Sequence, residues 1–341
     1  VSLQHNAWRL EKTMLLATVG LCPPRASRPR RRPRPPSAAG YNGFGAPPPP
    51  AGADAEPYNP LKGPGTTEIW SDGEVRVVDL DVVHPVNQLA GTRVLEVAGD
   101  VHSVANLREE DARRATGSYL DTLAASVALL PESSGDGSDG GTRVAVVGSG
   151  IGAAPALATA LFPDAGLSFV GFEYDARVVA AARDHFERFA ELDNLEVRQV
   201  QAGTDEPIGL LAAEEGSLAG VLVDLFDKGE LHPALAERET WSAWAKALAP
   251  NGRFVVNFGG GTTEAADDLV RVALKAMREG CGGFVAVKCL LDDPGYASNW
   301  IGITGPELTQ ADFQAWDGKM LRDFKKVPRS WEVAPPLESE D

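Results

Sequence analysis

The stretch that decides the fold is residues 143–175, RVAVVGSGIGAAPALATALFPDAGLSFVGFEYD. Residues 143–147 are a short valine-rich run, and residues 148–152 read Gly-Ser-Gly-Ile-Gly. Good helix formers fill residues 153–162 and stop at Pro163, and a second apolar run over residues 167–172 is closed by Glu173 and Asp175. Strand, glycine loop, helix, strand, acid is the order by which a chain builds a nucleotide pocket at the carboxyl end of a parallel sheet. The glycines let the backbone turn sharply and approach a ligand, and the helix start offers free N–H groups. The acid on the neighbouring strand stands where it can accept hydrogen bonds from both ribose hydroxyls.

Two cofactor classes compete for this loop. Gly148-x-Gly150-x-x-Ala153 fits the dinucleotide fingerprint with its allowed terminal alanine. Gly148-x-Gly150-x-Gly152 fits the looser loop of S-adenosylmethionine-binding domains. The order of the remaining elements discriminates between them.

Residues 167–172 lead into predicted helices over 176–190, 208–215, 235–248 and 263–278. Strands are expected at 195–200, 218–223, 253–258, 284–290 and 300–303. Pro250-Asn251-Gly252 is expected to stop the third of these helices. Five parallel strands with intervening helices, closed by an antiparallel pair, give a seven-stranded, doubly wound, Rossmann-like α/β sheet. Dinucleotide dehydrogenases seldom end in such a pair, whereas S-adenosylmethionine-dependent transferases do. Ahead of this unit, valine-rich runs near 75–83 and 94–98 and a helix over 119–130 predict a small β-rich cap. The expected domains are therefore a leader and Pro-rich linker (1–65), a cap (66–141), a nucleotide-binding domain (142–305) and a tail (306–341).

Of 341 residues, the first 60 hold eight Lys/Arg against three Asp/Glu, whereas the rest hold 24 against 45. The net charge of −16 argues against a nucleic-acid partner. No apolar run approaches the roughly 20 residues a membrane span needs. Between Met14 and Ala53 there is no acid, and six arginines cluster among prolines from Arg25 to Arg34. That pattern predicts a transit peptide, with a plastid as first destination and a mitochondrion second. The three cysteines, Cys22, Cys281 and Cys289, form no CxxC, so a reduced compartment and no structural metal are expected.

VAVVGSGIG, FEYDARVVAAAR, VLVDLFDKGELHPAL and LAPNGRFVVNFGGG together resemble the spermidine synthase-like branch of the S-adenosylmethionine-dependent methyltransferase superfamily, in the manner of a plant plastid member. The resemblance covers residues 67–305 and is densest over 143–261. It implies the class I methyltransferase fold behind a β-rich cap, and S-adenosylmethionine or its decarboxylated form as cofactor. It further implies a small-molecule acceptor and pairing into a homodimer. By the resemblance, Gly148, Ser149, Gly150, Gly152, Glu173, Tyr174, Asp205 and Asp224 contact the cofactor. Glu173 takes the ribose hydroxyls; Thr204 occupies the place of the usual adenine-binding acid, with Asp205 one residue later. Asp224 and Asp227, after the fourth strand, face the acceptor, where a carboxylate can hold or accept an amine's proton.

Two departures from that pattern bear on the reaction. Spermidine synthases carry an aspartate in the glycine loop that contacts the aminopropyl amine, and Ile151 stands there in this chain. Their Ser-Ser-Asp-Pro-type loop is replaced by Leu225-Phe226-Asp227-Lys228. Both point away from a polyamine acceptor. The leading expectation is a methyltransferase of undetermined acceptor, with aminopropyl transfer and a non-catalytic descendant of the fold as alternatives. His232, before Pro233, is a candidate base or a turn former, and Trp241 and Trp244 are core residues or an aromatic wall for the acceptor. His102 and His185 lack partners at metal-ligand spacing.

Overall fold

The structure is a computed structural model describing residues 61, 64–81, 91–106, 119–131, 141–186, 192–200, 207–227, 229–259, 264–282, 284–290, 299–309 and 331–333. The expected leader and most of the linker, Thr204, Asp205 and the polar loop over 132–140 lie outside the described residues.

Thr66–Asp72 (β1), Val75–Leu80 (β2), Thr92–Val97 (β3) and Asp100–Asn106 (β4) form an antiparallel sheet in that order. The sequence reading found only β2 and β3. In β1, TTEIWSD is largely exposed, and in β4, DVHSVAN spaces its valines by three, so neither shows an apolar period of two. Each is held by its pairing with a valine-rich neighbour. Both faces of this sheet are covered: Val78, Leu80, Val94 and Val104 pack with Leu61 on one side, and Val75, Val77 and Leu95 pack on the other.

Tyr119–Ser126 (α1) passes into a 3-10 turn at Val127–Leu129. Ser126 Oγ donates to the Thr122 carbonyl at 2.7 Å, a side-chain bond that competes with the helix ladder where the α-helix ends. The α/β unit follows with Thr142–Val147 (β5), Ala153–Leu161 (α2), Leu167–Glu173 (β6), Ala176–His185 (α3), Leu195–Gln199 (β7) and Leu218–Val223 (β8). A two-residue hairpin, Phe226–Asp227 (β9) and Glu230–Leu231 (β10), precedes Arg238–Trp244 (α4). Leu248–Asn257 (β11), Glu264–Cys281 (α5), Phe284–Leu290 (β12), Asn299–Gly305 (β13) and Trp331–Val333 (β14) complete it.

The large sheet runs β14-β12-β13-β11-β8-β5-β6-β7. Strands β5, β6, β7, β8 and β11 are parallel, and β12 to β14 are antiparallel to their neighbours. Among the described residues this sheet has eight strands where seven were expected, the addition being β14 from a segment read as tail. Alternate residues of β5 feed opposite cores: Ala145 and Val147 join Trp241, Trp244, Phe254 and Met277, whereas Val144 and Val146 join Leu123, Leu157 and Phe169. Helices α4 and α5 thus cover one face and α1 and α2 the other, as a parallel sheet requires.

Three expected elements differ. The helix over 235–248 is broken into a 3-10 turn at Pro233–Ala236, α4 and a second 3-10 turn at Ala245–Ala247. The helix over 208–215 is two 3-10 turns, Pro207–Gly209 and Ala212–Glu214. The indole N–H groups of Trp241 and Trp244 bond the carbonyls of Leu235 and Pro207, tying both 3-10 turns to α4, while the Pro207 carbonyl also accepts the Leu210 N–H of its own turn. Strand β11 begins at Leu248 and absorbs Pro250-Asn251-Gly252 as an irregularity, its register with β8 shifting between Leu248 and Arg253.

The strand order reverses between β5 and β8, since β6 and β7 extend one way and β11 the other. Ligands of open α/β sheets bind in the crevice at such a point, outside the carboxyl ends of the strands.

Candidate functional site

Strand β5 delivers the glycine loop to that crevice. The N–H groups of Gly148 and Ser149 both donate to the Phe172 carbonyl, at 3.0 and 3.1 Å, which ties the loop to β6. Gly148 has a φ of +78°, and a Cβ on it would lie 2.1 Å from the Asp224 carbonyl oxygen. No side chain fits between the ends of β5 and β8. Gly150, at φ +52°, meets the small sheet: its Cβ would lie 2.6 Å from Ser103 Oγ and 3.3 Å from His102 Cε1. Gly152 caps α2 in a left-handed conformation and supplies no side-chain hydrogen bond to its first turn.

Glu173 ends β6 and is 5% exposed. Its Oε2 accepts from Gly150 N–H at 2.9 Å, and its Oε1 accepts from Tyr174 and Asp175 N–H at 2.8 and 3.1 Å. The acid expected to hold ribose therefore also fixes the glycine loop. Asp175 caps α3 through Arg177 N–H, and the Arg177 guanidinium holds its carboxyl below the usual carboxylate range.

Asp224 follows β8. Its Oδ2 accepts from Tyr119 Oη at 2.8 Å and its Oδ1 from Asn257 Nδ2 at 2.9 Å. Burial pushes the Asp224 carboxyl above its ordinary range, against the pull of those two donors. Burial, with the carboxylate beside it, raises the Tyr119 phenol well above 10, so Tyr119 acts as a neutral donor. A carboxylate fixed by two donors and still carrying free lone pairs is suited to orient a nucleophile's N–H or O–H and take its proton. His102 lies within electrostatic reach of Asp224.

The structure thus brings together Gly148, Gly150, Gly152, Glu173 and Asp224. Ser149 turns its side chain onto the position left open by Gly171, and its buried Oγ has no hydrogen-bond partner among the described residues. Tyr174 leans on the main core. Asp227 is exposed on the β9–β10 hairpin. His232 is a turn former: its Nδ1 accepts from Ala234 N–H at 3.2 Å, and burial lowers its basicity. Trp241 and Trp244 are fully buried, their rings edge-on with centroids 5.6 Å apart, and form no acceptor wall. Ile151 is 3% exposed and packs with Val75, Val77 and Leu95, so its side chain faces the small sheet.

Sequence reasoning missed Tyr119, Asn257, His102 and Ser103 as site residues. Asn257 was detectable as a polar residue ending an apolar strand at the sheet's carboxyl edge. Tyr119 and His102 reach the site only through packing of the small sheet and α1. Among the described residues, no three His, Cys, Asp or Glu side chains are grouped to hold a metal ion, and no helix is long and apolar enough to cross a membrane.

No protein-family profile matches the chain, and no curated protein is similar to it in sequence. Solved structures are similar in fold. A probable spermidine synthase from Corynebacterium glutamicum is 16% identical with a TM-score of 0.53, over 79% of this chain and 90% of that one. A spermidine synthase in complex with the transition-state analogue AdoDATO is 14% identical with a TM-score of 0.52, over 76% and 79%. The spermidine synthase from Thermotoga maritima is 13% identical with a TM-score of 0.51, over 76% and 78%. At these identities the likeness establishes a shared fold, the α/β fold of the spermidine synthases, and the fold alone.

Proposed function

We propose that this chain is an S-adenosylmethionine-dependent transferase, a methyltransferase by preference, acting on a small-molecule acceptor. The observation that carries the reading is the convergence, at one switch point, of a side-chain-free glycine loop, a buried acid bonded to that loop and a second acid fixed by two donors. The residues present fit the cofactor, since a glycine loop in left-handed conformation lies bonded to a buried acid at the carboxyl edge of the sheet. S-adenosylmethionine supplies an electrophilic carbon on a sulfonium. Glu173 would hold the ribose hydroxyls, the glycine loop would pass beneath the cofactor's tail, and the small antiparallel sheet would cap the site. Asp224 would orient the acceptor and take its proton, with Tyr119 and Asn257 keeping the carboxylate in place. Positioning of this kind supplies much of the acceleration in a group transfer.

Aminopropyl transfer is the second reading. It is favoured by the fold likeness to three spermidine synthases, one of them in complex with AdoDATO. Calorimetric titration of the chain with S-adenosylmethionine, its decarboxylated form and NAD tests the proposal. Binding of S-adenosylmethionine, abolished or weakened at least about tenfold by Glu173→Gln, is expected. Binding of NAD alone, or undiminished binding by Glu173→Gln, would overturn it.

A further inference from the structure

His102 is placed on the glycine loop from outside the nucleotide-binding unit. Strand β4 carries His102 and Ser103 onto Gly150, and the ring edge bearing Nδ1 and Cε1 lies 3.3–3.4 Å from where a Gly150 Cβ would be. Gly150 is also the residue whose N–H is bonded to Glu173. On the far side, Asp224 stands at the end of β8, next to β5 in the sheet. A nucleoside with its ribose at Glu173 and its reacting carbon toward Asp224 must lay its 5′ substituent along this path, across β5 and under His102.

Between the two acids, His102 is the side chain that can present a donor over the glycine loop. His102 Nδ1 is engaged with Ser103 Oγ at 3.3 Å, which leaves Nε2 to meet a ligand. The glycine loop, residues 148–152, contains no acid, and Ile151 is turned into the apolar contact with β2 and β3. Asp224 already accepts from Tyr119 and Asn257, and Glu173 from three backbone N–H groups. The group that an imidazole N–H at Nε2 rewards on a ligand tail is an acceptor, above all a carboxylate.

We propose that His102 is a specificity-determining residue that donates to the carboxylate of the cofactor's amino-acid tail, so that intact S-adenosylmethionine is taken in preference to the decarboxylated form. The inference rests on the transferase reading above. It assigns the choice between methyl and aminopropyl donors to the small sheet rather than to the glycine loop.

The test measures affinities of the full chain and of His102→Ala and His102→Gln for S-adenosylmethionine, its decarboxylated form and methylthioadenosine, which has no amino-acid tail. The unaltered chain is expected to favour the intact cofactor over the decarboxylated one by about tenfold, the worth of a hydrogen bond to a charged group. His102→Ala should bring that ratio close to one while methylthioadenosine affinity stays within about twofold, and His102→Gln, which keeps a donor, should retain part of the preference. An unchanged ratio in His102→Ala would overturn the inference. So would equal weakening of all three ligands, which marks a merely structural role, or preference of the unaltered chain for the decarboxylated form. Failure of the unaltered chain to bind any of the three would instead remove the transferase reading, and the inference with it.

Discussion

Asn257 donates its amide nitrogen to Asp224 at 2.9 Å while its amide oxygen accepts from the Gly259 N–H at 2.9 Å. The second bond settles the first: with the oxygen committed to a backbone donor, only the nitrogen can face the carboxylate. Tyr119 holds the other Asp224 oxygen from a helix 105 residues earlier in the chain. Removal of either donor should make Asp224 easier to protonate, since both bonds favour its charged form. Tyr119→Phe is expected to move the Asp224 midpoint upward by roughly one pH unit, the worth of a single hydrogen bond. Carbon-13 NMR titration of the side-chain carboxyls would read it, and an unmoved or lowered midpoint would contradict the pairing.

Asp224 should also leave a mark on stability. Because burial raises its carboxyl, the folded chain keeps that proton to higher pH than the unfolded chain does. The stabilising contribution is present below the unfolded value of about 4 and is lost as pH rises through the folded value. Asp175 and Glu214, whose arginine partners lower them, act in the opposite sense, but they are common to parent and variant. Asp224→Asn is therefore expected to melt higher than the parent at pH 7, by about 2–4 °C, with the gap closing as pH falls toward 4. A variant that melts lower at pH 7 would show that the charge is stabilised, not penalised, by its surroundings.

Gly148 and Gly150 share a left-handed backbone but differ in what a methyl group would strike. At Gly148 the obstacle is the backbone carbonyl of Asp224, 2.1 Å away, which can yield only if β8 moves. At Gly150 the nearest atom is Ser103 Oγ at 2.6 Å, the end of a side chain. Gly148→Ala should cost about 3 kcal/mol or more, and Gly150→Ala about 1–2 kcal/mol, the strain of a left-handed residue with a modest side-chain shift. Adding Ser103→Ala should recover part of the second loss and none of the first. Denaturant unfolding of the four proteins measures this, and equal costs at the two glycines would contradict the contact geometry.

The α/β unit was legible because its signals are local. Valine runs, a glycine loop and a proline stop fix the strand–loop–helix–strand segment through Glu173 without reference to distant residues. Strands β1 and β4 were illegible because polar residues on partly exposed strands owe their conformation to a neighbour. Glu173 and Asp224 could be named in advance, each ending an apolar strand at the sheet's carboxyl edge. Tyr119 and His102 could not, because α1 and β4 carry no periodic feature that reveals which residue faces the glycine loop. The motif likewise does not disclose that a second sheet covers Ile151.

That placement of Ile151 makes the last prediction. Its neighbours are Val75, Val77 and Leu95 of the small sheet, Val178 and Ala181 of α3, and Phe186 at the end of that helix. Ile151→Asp would bury a carboxylate among them, and the nearby Arg177 is already committed to Asp175. The expected cost is about 3–5 kcal/mol, as for an uncompensated buried charge, whereas Ile151→Val should cost about 1 kcal/mol. The loss should appear in hydrogen exchange as faster opening of β2 and β3, because the apolar contact joining them to the glycine loop is what the aspartate destroys. If Ile151→Asp were instead as stable as the parent and gained affinity for decarboxylated S-adenosylmethionine, the side chain would have to face the ligand. The small sheet would then not be docked through it.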